Sequence, residues 1–102
     1  MVVIQRFCFV KLLDEQVADR AEIAEKLRAE LATAGADAVV GIPADDSAIR
    51  WDISIVITAA SLDAWNAQSR IPAMAGVFDD LAERAEVIKA WTFEAVGVDR
   101  AS

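Results

Sequence analysis

The chain has 102 residues, of which 56% are hydrophobic and 26% charged, with a net charge of −7, one cysteine and neither histidine nor tyrosine. An acidic chain is repelled by phosphate backbones, so no nucleic acid is expected as a partner. The missing histidine excludes imidazole metal sites, Ser-His-Asp and Cys-His nucleophile systems, and histidine acid–base catalysis.

The length fits one domain over 1–102. No apolar run reaches the roughly 18 residues of a membrane-spanning helix, and no cluster of Lys and Arg marks an anionic membrane surface. The opening MVVIQRFCFVKLL carries Arg6 and Lys11 inside its apolar run and lacks a small-residue cleavage site, so it reads as a strand and not as a signal peptide. A lone cysteine closes no internal disulfide, which makes the cytoplasm the expected compartment. The apolar excess needs a cover, and a second chain is the first candidate.

Residues 2–12 are rich in β-branched and aromatic side chains and predict a first strand. Alternation places Phe7, Phe9 and Lys11 on one face and Arg6, Cys8 and Val10 on the other. Both faces are largely apolar, which suits a central strand. Residues 15–34 predict a helix about 30 Å long, capped by Asp14. Its apolar side is traced by Val17, Ala21, Ala24, Leu27 or Arg28, Leu31 and Ala34, with Glu22 and Lys26 paired on the wet side. Gly35 is the expected stop. Residues 38–42 predict a short strand, followed by a loop at Pro43 and Asp45-Asp46-Ser47. Residues 49–59 predict a third strand, with Trp51, Ile53, Ile55 and Ile57 on one face and Asp52, Ser54, Val56 and Thr58 on the other. Ser61 caps a short helix reaching about residue 69. Pro72 opens a further helix to about residue 85, with Asp80 and Arg84 as an i,i+4 pair. Residues 87–96 predict the last strand.

The order β-α-β-β-α-β favours a ferredoxin-like α+β fold: a four-stranded antiparallel sheet with its helices on one face. The other sheet face is then bare and apolar. A second copy packed against it with twofold symmetry is the expected solution, giving a homodimer of the dimeric α/β barrel kind.

Residues 4–94 resemble the stress-responsive A/B barrel (Dabb) family of the dimeric α/β barrel superfamily. The resemblance is carried by Arg6-Phe7-Cys8-Phe9-Val10-Lys11-Leu12-Leu13-Asp14, by the aromatic-started strand Trp51 to Thr58, by Ile71-Pro72-Ala73-Met74 leading into a helix over 75–85, and by Trp91-Thr92-Phe93-Glu94. It implies a homodimeric barrel holding a pocket for a small hydrophobic or aromatic molecule between sheet and helices, with no cofactor. Some relatives have no assigned reaction, and one is a polyketide cyclase that uses a tyrosine and the second histidine of a His-Pro-x-His motif. Those positions correspond here to Gln68 and Met74, and the first histidine corresponds to Ile71. Arg6 stands where the opening strand of the family carries a histidine. Neither glutamine nor methionine exchanges a proton near neutral pH, so the cyclase mechanism does not carry over.

Arg6 is the leading candidate for holding an anionic ligand group; an ion pair with Glu94 is the plainer account. Cys8 shares the Arg6 face and is a candidate contact beside it, or an inert core thiol. Trp51, Trp65 and Trp91 suit a flat hydrophobic pocket as well as core or dimer packing. Gln68 and Met74 suit the pocket wall. Asp45, Asp46, Asp79, Asp80 and Glu83 match no metal loop, and no metal is expected there. The leading expectation is small-molecule binding. The alternatives are a cofactor-free enzyme of cyclase, isomerase or monooxygenase type on a polyketide-like or aromatic substrate, and a stress-protective structural oligomer.

Overall fold

A computed structural model describes residues 3–48 and 50–97. Four strands, β1 (Ile4–Leu12), β2 (Asp37–Gly41), β3 (Ile53–Ala59) and β4 (Ala85–Glu94), form one antiparallel sheet in the order β2-β3-β1-β4. Three α-helices, α1 (Arg20–Thr33), α2 (Leu62–Ser69) and α3 (Pro72–Arg84), join them. This is the ferredoxin-like arrangement, with β1 in the interior of the sheet as its two apolar faces require.

Register determines which side chains meet. Arg6, Cys8 and Val10 stand opposite Ile57, Ile55 and Ile53 on one side, and opposite Thr92, Ala90 and Ile88 on the other. This face packs on the helices. Cys8, Val10, Ile53, Ile55 and Ile57 are all buried there, together with Ile23, Leu27 and Leu31 of α1, Trp65 of α2, and Met74, Val77 and Leu81 of α3. Burial of each large side chain in such a cluster is worth about 1.5–3 kcal/mol. The opposite face carries no helix. Phe7, Phe9, Trp91 and Phe93 line a shallow groove of about 570 Å³ on it. Phe7 meets Phe93 edge-on at 5.7 Å between ring centroids, and Phe9 lies 6.0 Å from Trp91. Val39, Trp91 and Phe93 are exposed.

Local chemistry accounts for the boundaries. The Ser61 hydroxyl accepts the Ala64 N–H at 3.0 Å, capping α2. Helix α1 ends with Gly35 at φ +85°, where the Gly35 N–H reaches Ala32 O and the Ala36 N–H reaches Leu31 O, both at 3.0 Å. That paired turn is the left-handed stop that glycine favours. Asp80 and Arg84 pair at 3.8 Å as spacing predicts, and Lys26 reaches Asp80 at 3.6 Å, fastening α1 to α3.

The structure departs from the sequence reading at four places. Residues Asp14–Asp19 wind as a tighter 3₁₀ segment before α1, and no side chain caps it. Its entry is held by the Leu13 N–H bonded to Arg84 O at 3.0 Å, in place of an Asp14 cap. Along α1, Ile23 is buried and Ala21 exposed, so the apolar stripe is rotated from the one expected. Lys26 pairs with Glu30 and Asp80, and not with Glu22. Finally, β3 starts at Ile53, so Trp51 and Asp52 lie before its ladder and do not obey its alternation. Trp51, whose N–H is turned back to Ala48 O, lies against Phe9 at 5.9 Å between ring centroids and thus joins the open face. The Asp52 side chain is drawn inward instead, where its Oδ1 pairs with Arg20 Nη2 at 2.9 Å.

Candidate functional site

Between β1, β4, α2 and α3 the helix-side face leaves a pocket of about 340 Å³. Arg6 and Cys8 come from β1, Ile88 and Ala90 from β4, Trp65 and Ser69 from α2, and Met74, Ala75, Phe78 and Asp79 from α3. The sheet side follows from period two on β1 and β4, and the helix side from i,i+4 spacing: Trp65 with Ser69, Met74 with Phe78. Its volume falls in the range of small-molecule sites, and its walls are mostly apolar, as in such sites generally.

Arg6 is half-buried, and none of the ion pairs among the described residues includes it. The expected partner Glu94 stands opposite Ile4 instead, two residue pairs along the ladder from Arg6–Thr92. Arg6 Nη1 donates to Thr92 Oγ1 at 2.8 Å, across the β1–β4 ladder. Its guanidinium carbon lies 5.8 Å from the Trp65 ring centroid, within the range of a cation–π contact. Two neutral groups therefore orient the side chain.

Cys8, two residues along, is 3% exposed. Burial pushes its thiol above the ordinary range, and the nearby Arg6 charge only partly offsets that. At neutral pH it is a neutral wall group and a poor nucleophile. Met74 is 1% exposed and packs as both core and pocket wall.

The structure therefore brings Arg6, Cys8 and Met74 together, with Trp65 added. It does not bring Trp51 or Gln68 to them. Trp51 stacks on the opposite sheet face. Gln68 Nε2 donates to Gly35 O at 3.0 Å and ties α2 to the turn after α1. Trp91 belongs to the open face beside Phe9. Sequence reasoning missed Phe78, Ile88 and Ala90. The last two become visible only once the β1–β4 register is known, because strand pairing across the sheet is not written in local pattern.

The acidic clusters are engaged locally. Asp45 Oδ1 accepts the Ser47 N–H at 2.9 Å in a turn, and Asp80 pairs with Lys26 and Arg84. Among the described residues no three His, Cys, Asp or Glu side chains converge as a metal site. No helix among them is long and apolar enough to cross a membrane.

No protein-family model and no curated protein matches the chain in sequence. Solved structures do match in fold. A dimeric ferredoxin-like protein of unknown function from Thermobifida fusca YX aligns over 92% of each chain at 15% identity, with a TM-score of 0.75. A hydroxynitrile lyase from Passiflora edulis aligns over 95% of this chain and 96% of its own at 9% identity, with a TM-score of 0.76. A Dabb family protein with a ferredoxin-like fold from Mesorhizobium loti MAFF303099 aligns over 95% of this chain and 100% of its own at 12% identity, with a TM-score of 0.70. The chain thus has the ferredoxin-like fold that its resemblance to the Dabb family implies.

Proposed function

We propose that the chain is a homodimer whose subunits each bind a small hydrophobic or aromatic molecule in the pocket between sheet and helices. The observation that carries this reading is the pocket itself: about 340 Å³, walled by Trp65, Met74, Phe78 and Ile88, with one cation, Arg6, at its side. A chain serving only as a structural oligomer has no need of such a space, since native interiors are close-packed. The dimer is supported by the uncovered aromatic face and by the dimeric description of the Thermobifida protein of like fold. A lone buried thiol suits the cytoplasm.

Binding stands ahead of catalysis on the chemistry of the walls. The Passiflora lyase shows that the fold hosts an enzyme, but catalysis by proton transfer needs a group that exchanges protons near neutral pH. The buried thiol is pushed away from that range, Arg6 serves as a donor only, and the one carboxylate of the lining, Asp79, is exposed to water.

The test is thermal denaturation with a panel of neutral and anionic one- and two-ring aromatics. A saturable rise in Tm is expected in the native protein and not in Ala75→Trp, which places an indole at the exposed pocket wall. No rise with any probe, or an undiminished rise in the variant, overturns the reading.

A further inference from the structure

We propose that the ligand is a monoanion, a flat hydrophobic or aromatic carboxylic acid whose carboxylate is held by Arg6. This assignment rests on the pocket reading above and names its chemistry.

Arg6 is the reason. It is half-buried, lines the apolar pocket, and has no carboxylate partner among the ion pairs of the described residues. A charge withdrawn from water toward apolar walls is costly unless an opposite charge meets it. The groups that do hold it are neutral. Thr92 Oγ1 accepts from Nη1 at 2.8 Å, and the Trp65 ring lies 5.8 Å from the guanidinium carbon. Together they orient the guanidinium without neutralising it. An arginine has five N–H donors in a planar fork, which fits the two oxygens of a carboxylate. A phosphate, with three oxygens and up to two charges, calls for more donors than one arginine supplies.

The rest of the pocket defines the acid. Trp65, Met74, Phe78 and Ile88 offer no charge to a second ionised group. The one other ionisable group besides Cys8 is Asp79, which is exposed and repels a second carboxylate. That selects a single acid group directed at Arg6. An apolar cavity of ~150 Å³ accepts benzene, so about 340 Å³ leaves room for a two-ring skeleton. The chain as a whole, at −7, repels anions, so selection is a local property of this side chain.

The experiment compares 2-naphthoate with 2-naphthalenemethanol, the same ring system without the charge, by calorimetric titration at pH 7 and fixed ionic strength. The native protein is expected to bind naphthoate at least about tenfold more tightly, as a charge-assisted hydrogen bond provides. Arg6→Gln is expected to lose that preference while binding the alcohol unchanged. Equal affinities in the native protein overturn the assignment, as does a preference that survives in Arg6→Gln. If that variant fails to fold, the native comparison still decides. If neither probe binds, the pocket reading itself falls; if both bind equally, only the anion assignment does.

Discussion

The Asp52 carboxylate accepts the backbone N–H of Leu12 at 2.9 Å across a sequence separation of 40 residues. Its other oxygen pairs with Arg20 Nη2 at 2.9 Å. One partly buried acid therefore ties the end of β1 to the start of α1, just where the β1–β4 register shifts between Lys11 and Leu12. The β1–β3 pairing ends at Val10–Ile53, so the Leu12 N–H beyond it has no strand partner on that side and a side chain must supply one.

Asp52→Ala removes both partners and leaves the Leu12 N–H and the Arg20 charge unsatisfied. A loss of about 3 kcal/mol is expected, read as a fall in Tm of more than about 10 °C for a domain of this size. Asp52→Asn keeps an acceptor for Leu12 and gives up only the charge, so its loss is smaller. Equal losses in the two variants would show that the Leu12 bond contributes nothing.

Cys8 gives the pH dependence. Its thiol is pushed up in the folded chain by burial, so the folded state holds the proton more tightly than the unfolded state. Its contribution is complete below the unfolded thiol value of roughly 8.5 and is lost as pH rises through the higher folded value. The stability difference between the native protein and Cys8→Ala therefore narrows above pH ~8.5. Alkylation by iodoacetamide at pH 7 is expected to be at least about tenfold slower in the native protein than in urea.

In the proposed homodimer the open sheet face is the seam. Trp91→Asp and Phe93→Glu place a charge among the exposed aromatics and are expected to shift the species from twice the 11.0 kDa chain mass to a single chain, measured by light scattering at micromolar concentration. Both variants should retain the pocket-bound probe, because Thr92 and Ala90 face the other way. A native protein running at single-chain mass refutes the dimer.

Two glycines should respond with opposite sign. Gly35→Ala forces a Cβ into φ +85° and is expected to cost about 1 kcal/mol. Gly76 is exposed in α3 with nothing within 4 Å of an added Cβ, so Gly76→Ala is expected to add about 0.5–1 kcal/mol. Chemical denaturation of the three proteins reads both.

Much of this architecture is legible in the residues. The alternation in β1 assigns Arg6 and Cys8 to one face and Phe7 and Phe9 to the other without any knowledge of the partner strands. Ser61 and Gly35 mark their helix ends through local hydrogen bonding, which sequence records directly. Trp51 and Asp52 were misplaced because period two holds only inside a ladder, and both precede the first paired residue of β3. Asp52 is turned by Arg20 and Leu12, partners distant in sequence. Gln68 is spoken for by a backbone carbonyl 33 residues away, Gly35 O, and so distant a backbone partner leaves no trace in a residue pattern. The pocket was legible from its β1 wall and not from its β4 wall, since Ile88 and Ala90 enter through register.

The strand order also governs how the chain is made. Of the four strands β1 is synthesised first, yet its neighbours are β3 and β4, and Cys8 waits for Ile55 on one side and Ala90 on the other. A nascent chain carrying β1 through α3 has no strand to cover one flank of that apolar segment. Closure of the sheet therefore waits for β4, and pairings of such long sequence separation fold slowly. During that interval Ile4–Leu12 has one open, aggregation-prone edge, and the acidic residues that follow it, Asp14, Glu15 and Asp19, stand as its gatekeepers.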